Sequence, residues 1–272
     1  MNVTSHGEST LDEIEKLELD FFEVLSAPIP RIVWKENRRY QNSKFLKFVE
    51  NANKQKVIKR MINKITGIPD VNYAKMWHVL ILSAFPEKIK DSVIALGDDI
   101  ICFSDRDDKI TPSFIQKYKI DYIICFGYGR ILSQDIIKIV PCINIHGGYL
   151  PQNRGPNPNL WSWINGTKKG VSIHYIDKGI DTGDIIVQKE IEFREPITLQ
   201  SSFDQIVNEC TELFASEWPN IRSGMSTRTR QIGKGTFHTM QSQEKLTELL
   251  ENGGLDMPIS EFCQKAKTIL AQ

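Results

Sequence analysis

An amide and an imidazole interrupt a short apolar run of the sequence, at Asn144 and His146. In an extended strand, side chains two residues apart point to the same face, so we expect these two to lie side by side. A Gly-rich stretch further along the chain carries three acids, Asp177, Asp181 and Asp184. An amide donor, a group that titrates near neutral pH and a carboxylate are the parts of an acid–base active site, and the sequence predicts one here.

Three motifs around these residues resemble the catalytic core of the folate-dependent formyltransferases, which include glycinamide ribonucleotide, methionyl-tRNA and nucleotide-sugar enzymes. The matching motifs are Asn144-Ile145-His146, Leu150-Pro151 and Gly179-Ile180-Asp181-Thr182-Gly183. The similarity extends over residues 79–270 and departs from the family at Gly148, where a serine is usual. It implies an α/β, Rossmann-like formyltransferase fold with a mostly parallel sheet.

The resemblance assigns catalysis to Asn144, His146 and Asp181 and implies that the formyl group of N10-formyltetrahydrofolate is transferred to an amine. The tetrahedral intermediate of this transfer would be stabilised by Asn144 and a protonated His146, each contact contributing roughly 10²–10³ in rate. His146 also suits the proton transfer, with Asp181 orienting it. No metal is required, and the histidine spacings show no zinc pattern. Taken singly, each residue type is more often structural, so the prediction depends on the joint pattern.

A second Gly-rich loop, Gly127-Tyr128-Gly129-Arg130, follows an apolar run and leads into Ile131-Leu132-Ser133. It is similar to the loop that holds the pterin ring in this family. The resemblance implies that six residues bind the folate: Gly129, Arg130, Ile131, Leu132, Asp177 and Ile180. The residues alone leave an alternative, in which the loop is a turn into a helix at 133–139 and Asp177 is a turn acid.

Residues 153–163, NRGPNPNLWSW, most resemble the sugar-modifying branch of the family. The residues expected to contact the acceptor are Tyr149, Asn153, Arg154, Asn157 and Trp161. Arg154 would pair with a phosphate or with the folate glutamate, and Trp161 would stack on a ring. The predicted acceptor is the amine of a nucleotide-linked 4-amino-4,6-dideoxyhexose. The alternatives for the reaction are Met-tRNA or another amine as acceptor, and hydrolysis of the formyl-folate. The alternative for residues 153–163 is that they only shape the loop and start a helix.

Apolar runs at 78–82, 100–103 and 122–126 alternate with helical patterns at 88–96, 112–118 and 133–139. This alternation predicts a parallel sheet covered on both faces, with ligands beyond the carboxyl ends of its strands. A strand at 185–193 and helices at 198–218 and 259–270 are predicted further on. His174 and His238 are interpreted as structural residues. The glycine motifs of dinucleotide-binding and P-loop proteins are absent from the sequence.

Three regions are predicted: a helical, basic N-terminal extension at 1–74, the catalytic domain at 75–230, and a C-terminal hairpin and helix at 231–272 packed on that domain. Between Arg31 and Ile65 the extension carries eleven Lys or Arg and two acids, and 11 − 2 gives a net charge of +9. One interpretation is an amphipathic helical subdomain with solvated lysines. The other is an electrostatic site for phosphates.

Basic and acidic residues balance at 34 each, so no global field favours nucleic acid or a membrane as partner. No run approaches the ~18 apolar residues of a spanning helix, and the N-terminus lacks signal-peptide features. Five scattered cysteines fit a cytoplasmic enzyme with reduced thiols. The expected partners are a nucleotide-sugar substrate and, because sugar formyltransferases are often dimers, a second copy of the chain.

Overall fold

The computed structural model describes residues 76–103 and 110–271, so the predictions for residues 1–74 lie outside the described residues. The strands are β1 (His78–Ser83), β2 (Asp99–Phe103), β3 (Tyr122–Phe126), β4 (Cys142–His146), β5 (Gly170–Tyr175) and β6 (Ile185–Glu190). The α-helices are α1 (Pro86–Ile94), α2 (Pro112–Lys117), α3 (Gln134–Ile137), α4 (Pro158–Ile164), α5 (Leu199–Ser223), α6 (Met240–Glu244), α7 (Thr247–Leu249) and α8 (Ile259–Leu270).

The strands form one sheet in the order β2-β1-β3-β4-β5-β6. The pairs β1–β2, β1–β3 and β3–β4 are parallel, whereas β5 and β6 join the sheet antiparallel. The predicted α/β fold with a mostly parallel, Rossmann-like sheet is confirmed. Because β2 and β3 lie on opposite sides of β1, the strand order reverses there, which is where such sheets bind ligands.

The apolar runs of β1 and β3 are buried, as expected for strands that helices cover on both faces. On one face, Leu80 and Ile123 belong to a core cluster with Ile115 of α2 and Ile136 of α3. α5 packs on the sheet elsewhere, with the Trp218 ring edge-on to that of Tyr122. These layers hold the strand ends that carry the polar loops.

The long helix α5 begins where the sequence predicts and ends later. The hydroxyl of Thr198 accepts a hydrogen bond from the backbone N–H of Ser201, which is an N-terminal cap. The helix continues through Pro219 to Ser223, and Gly224 ends it with φ +74°. In its last turn, Arg222 Nε and Nη2 donate to the two carboxylate oxygens of Asp98, both at 2.6 Å. This buried ion pair anchors the end of α5 beside the start of β2.

The C-terminal segment pairs with residues that precede it in the chain. Thr229 forms a single bridge with Ile185. Phe237, within the region 231–272 where a hairpin was predicted, forms one with Arg154. The final helix is confirmed at 259–270, and its Phe262 shares a core cluster with α4. None of the helices in the described ranges is long and apolar enough to cross a membrane.

Candidate active site

Four polar side chains share one face of the strand pair β4–β5. The antiparallel register places His174 opposite Asn144 and Ser172 opposite His146. Because side chains alternate between the two faces of a strand, these four side chains point the same way. His146, Ser172 and His174 are buried. Asn144 and His146 therefore lie side by side, as predicted, and belong to a larger polar patch that also contains Ser172 and His174.

Asp181 reaches this patch from the loop after β5. Its Oδ1 accepts a hydrogen bond from Asn144 Nδ2 at 3.1 Å and lies 3.4 Å from His174 Nε2. Its Oδ2 lies 3.6 Å from His146 Nδ1 and accepts the backbone N–H of Gly155 at 2.8 Å. The structure thus brings together the three residues predicted to be catalytic, with one carboxylate between two imidazoles.

His174 was interpreted as structural, and the structure places it in the site. Its Nδ1 donates to the carbonyl oxygen of Tyr175 at 2.8 Å, so Nε2 of the neutral ring is an acceptor. Asn144 Nδ2 donates to that Nε2 at 3.3 Å. The sequence holds no signal for this contact, because it depends on the register between two strands separated by a long loop.

Both ring nitrogens of His146 face oxygen atoms. Nε2 lies 3.2 Å from the backbone carbonyl oxygen of Asn153, and Nδ1 lies opposite Asp181. Only the imidazolium form can donate to both. Burial nevertheless lowers the pKa of His146 below its ordinary value, while Asp181 opposes that shift. His146 is therefore mostly neutral at neutral pH and can accept a proton.

The carboxyl group of Asp181 remains ionised at neutral pH. Burial by itself raises its pKa, but the positive charge that His146 and His174 carry when protonated, together with the Gly155 N–H, outweighs this and holds the pKa well below its usual range. The backbone of Asp181 is left-handed, with φ +52°. Because non-glycine residues adopt this conformation at a cost of about 1–2 kcal/mol, the surrounding contacts must hold it.

The residues predicted to bind folate are mostly exposed. Gly129 and Arg130 are exposed, Ile131 is 80% exposed, Ile180 is 41% exposed, and Leu132 is buried. One oxygen of Asp177 accepts hydrogen bonds from Gly179 N at 3.0 Å and Thr182 Oγ1 at 2.6 Å. These bonds stabilise a turn, which is the alternative to folate binding given above for Asp177. The loops after β3 and β4 are neighbours, as predicted, because Phe126 pairs with Ile145.

Two predicted acceptor contacts do not fit their surroundings. The side chain of Asn153 is fully buried, and its Nδ2 donates to Thr167 Oγ1 at 2.7 Å. The indole of Trp161 is buried and stacks on His238, with ring centroids 4.0 Å apart. A ring of the protein therefore fills the place predicted for a substrate ring on that face.

The other three predicted acceptor residues lie closer to solvent. Arg154 is half-buried and donates to Gln231 Oε1 through Nε at 3.2 Å and Nη2 at 2.7 Å. Asn157 is exposed, starts α4 with φ +53°, and bonds to Gln243. Tyr149 is half-buried, with the ammonium group of Lys168 5.2 Å from its ring centre.

No group of three or more His, Cys, Asp or Glu side chains that could hold a metal ion occurs within residues 76–103 and 110–271.

A family profile described as formyl transferase matches residues 48–214, more than half of the chain. The chain belongs to the formyl transferase family.

Solved structures of related proteins share the fold. The formyltransferase PseJ from Anoxybacillus kamchatkensis is 34% identical, with a TM-score of 0.63 over 70% of this chain and 99% of that chain. Its structure contains UDP-4,6-dideoxy-4-formamido-L-AltNAc and tetrahydrofolate. A 4-N formyltransferase from Francisella tularensis is 21% identical, with a TM-score of 0.53 over 62% of this chain and 79% of that chain.

The curated proteins that are similar in sequence include methionyl-tRNA formyltransferases. The methionyl-tRNA formyltransferase of Ruminiclostridium cellulolyticum is 33% identical over 127 residues, which is 44% of this chain and 41% of that protein. The corresponding enzyme of Clostridium novyi is 30% identical over 56% of this chain and 52% of that protein. The chain spans about half the length of the curated relatives it matches.

Proposed function

We propose that this protein transfers the formyl group of N10-formyltetrahydrofolate to the amine of a nucleotide-linked amino sugar of the 4-amino-4,6-dideoxyhexose type. The observation that carries the proposal is the contact of Asp181 with both Asn144 and His146 in a member of the formyl transferase family. The choice of a sugar is supported by PseJ, which matches over 99% of its length and was solved with a 4-formamido sugar nucleotide and tetrahydrofolate.

The surroundings of the cluster fit a folate. Ile131 and Ile180 are large aliphatic side chains left exposed beside polar loops, as expected where a flat aromatic ligand covers them. We propose that the backbone of Gly129, Arg130 and Leu132 holds the polar edge of the pterin. When bound, the folate supplies the formyl carbon that the acceptor amine attacks.

The residues of the chain supply charge and proton handling. The reaction forms a bond from the acceptor nitrogen to the formyl carbon and breaks the bond from that carbon to N10. One proton must leave the amine, and one must reach N10. His146, neutral with its Nδ1–H directed at Asp181, accepts the amine proton at Nε2 in place of the contact with the Asn153 carbonyl and returns it to the leaving nitrogen. The Asn144 N–H that makes the longer bond, to His174, turns to the formyl oxygen as negative charge develops there.

The test is the release of tetrahydrofolate from N10-formyltetrahydrofolate in the presence of different acceptors. The panel contains UDP-, dTDP- and GDP-linked 4-amino-4,6-dideoxyhexoses, Met-tRNA and hydroxyornithine, with His146→Ala as the inactive control. We expect turnover with one sugar nucleotide that the control lacks. Release with Met-tRNA alone, or with no acceptor at all, would replace the sugar proposal with one of its alternatives.

Met-tRNA remains the second candidate acceptor because the curated relatives are methionyl-tRNA formyltransferases. A tRNA substrate carries many phosphates, so its binding weakens steeply with salt, whereas a nucleotide sugar carries only two. Measuring KM at low and high ionic strength with whichever acceptor is active therefore separates the two substrate classes independently of the rate.

Gly148 leaves the room that the His146 ring needs. A Cβ atom at this position would lie 2.9 Å from His146 Nε2 and 2.8 Å from Pro158 Cβ, closer than real Cβ atoms approach other atoms. The Gly148→Ser variant, which has the usual family residue, must displace the ring. Because displacing a catalytic group by about 1 Å can cost 10²-fold, we expect kcat to fall about 10–100-fold.

Gly147→Ala is the matched control for this prediction. Its Cβ would lie 2.8 Å from Ile206 Cγ2, so the close contact falls on a side chain of helix α5. We expect a similar loss of thermal stability in both variants and a loss of kcat in Gly148→Ser alone. An unchanged kcat in Gly148→Ser would show that the ring position does not limit the reaction.

A further inference from the structure

One glutamine outside the catalytic motifs uses its entire side-chain amide to join three segments. Gln231 Nε2 donates to the carbonyl oxygens of Asp181 and Gly183, both at 2.8 Å. Its Oε1 accepts the two hydrogen bonds from the guanidinium of Arg154. A side-chain amide has two donor hydrogens and two acceptor lone pairs, and here all four are used.

The two carbonyl groups belong to a tight turn that needs support. Asp181 is left-handed, and a Cβ atom on Gly183 would collide with the carbonyl oxygen of Tyr175. The turn therefore bends sharply at the residue whose carboxylate serves two histidines. Gln231 holds its main chain, while the Gly155 N–H holds the carboxylate oxygen that faces His146.

The third segment is the loop that contains Arg154. Its backbone N–H donates to Thr236 O at 2.9 Å, and its carbonyl oxygen accepts from His238 N at 3.0 Å. The next residue is Gly155, whose N–H binds Asp181. Gln231 thus ties the catalytic turn to the loop from which the carboxylate receives its backbone hydrogen bond.

We propose that Gln231 is a positioning residue that keeps the Asp181 carboxylate between His146 and His174 and links it to the Arg154 loop. Its effect on turnover rests on the proposed formyl transfer, whereas its effect on the two imidazoles does not. The hydrogen bonds of the Gln231 side chain go to Arg154, Asp181 and Gly183, so it acts on the imidazoles through the backbone of Asp181.

The Gln231→Glu variant separates the two sides of the amide. A glutamate has nearly the same size and still accepts hydrogen bonds from Arg154, but it presents an anion to the two carbonyl oxygens. The matched control is Gln188→Glu, because Gln188 Nε2 also donates two hydrogen bonds, to Leu150 O at 2.8 Å and Ser172 Oγ at 2.9 Å. Both variants lose two donated bonds, and only Gln231→Glu disturbs the Asp181 turn.

The first measurement is the titration of the His146 and His174 ring signals by NMR in the full chain. Asp181 raises the pKa of His146, so a displaced carboxylate should move the His146 midpoint to lower pH in Gln231→Glu and not in Gln188→Glu. With the active acceptor, we expect kcat to fall about 10–100-fold, as for a misplaced catalytic group, with little change in KM for the formyl donor.

Four outcomes separate the possibilities. Unchanged ring titrations and kcat in a folded Gln231→Glu protein would overturn the proposal. Equal effects in both variants would also overturn it, because they would show a general loss of stability. If Gln231→Glu fails to fold, Gln231→Met removes the donated and the accepted hydrogen bonds together without adding a charge, and the same ring titration decides. Absence of turnover in the wild-type protein would count against the proposed function, and the NMR titration would still decide the role of Gln231.

Discussion

Replacing Asp181 with asparagine is expected to lower kcat about 10²–10⁴-fold, the range typical of a lost acid–base function. The asparagine keeps the shape of the side chain and removes the negative charge that lies 3.6 Å from His146 Nδ1 and 3.4 Å from His174 Nε2. Steady-state kinetics with the active acceptor measures the effect. Asp184→Asn is the control, because Asp184 lies in the same loop and pairs only with exposed Arg228 among the contacts described.

The pH profile of the Asp181→Asn variant should also move. Burial lowers the pKa of His146, and Asp181 opposes that shift, so removing the charge lowers the pKa further. If neutral His146 accepts the amine proton, the acid limb of kcat/KM moves to lower pH while the plateau falls. A limb that stays in place would mean that another group controls it. The depressed pKa of Asp181 also means that its ionised carboxylate stabilises the fold at pH values above the pKa of an unfolded aspartate. This stabilisation is lost as the pH falls through the pKa of the folded state.

Replacing Arg222 with methionine is expected to destabilise the fold by about 3–5 kcal/mol, since it leaves a buried carboxylate without its partner. The side chains of Arg222 and Asp98 are almost fully buried and joined by two hydrogen bonds of 2.6 Å. Burial raises the pKa of Asp98 even beside the arginine. The variant should therefore unfold more easily as pH rises and Asp98 loses its proton.

Thermal and denaturant unfolding at mildly acidic and mildly alkaline pH measure this effect. Arg228→Met removes a guanidinium from an exposed pair with Asp184 at 2.7 Å and should cost at most about 1 kcal/mol. The double variant Asp98→Leu with Arg222→Met should recover part of the loss, because neither charge is then buried alone. Equal costs for the two arginine variants would contradict a structural role for the buried pair.

The fold could be predicted where burial alone decides it. Strands such as β1 and β3 are continuous apolar runs, and these are typical of a sheet covered on both faces. Asn144 and His146 stood out because polar residues are costly in such runs unless they are paired. Helix α5 ran past its predicted end because Arg222 finds a buried partner 124 residues away in the chain.

Contacts that depend on loops were not predictable in the same way. His174 and Gln231 join the site through a strand register and a C-terminal crossing that no local pattern encodes. Asn153 and Trp161 were predicted to touch the acceptor from their residue types, whereas the folded loop buries both side chains. Residue chemistry identified the centre of the site, and only the fold shows which surrounding groups point into it.

The register between β4 and β5 also limits how this protein can vary. His174 faces the carboxylate because it stands directly opposite Asn144, and a slip of one residue would exchange it for Ile173 or Tyr175 on that face. An insertion or deletion of one residue in β5 would cause this slip. It would place an apolar or phenolic group against Asp181 and turn the imidazole of His174 to the other face of the sheet. We therefore expect the length of β5 to be held constant among functional variants, while surface loops elsewhere tolerate changes in length.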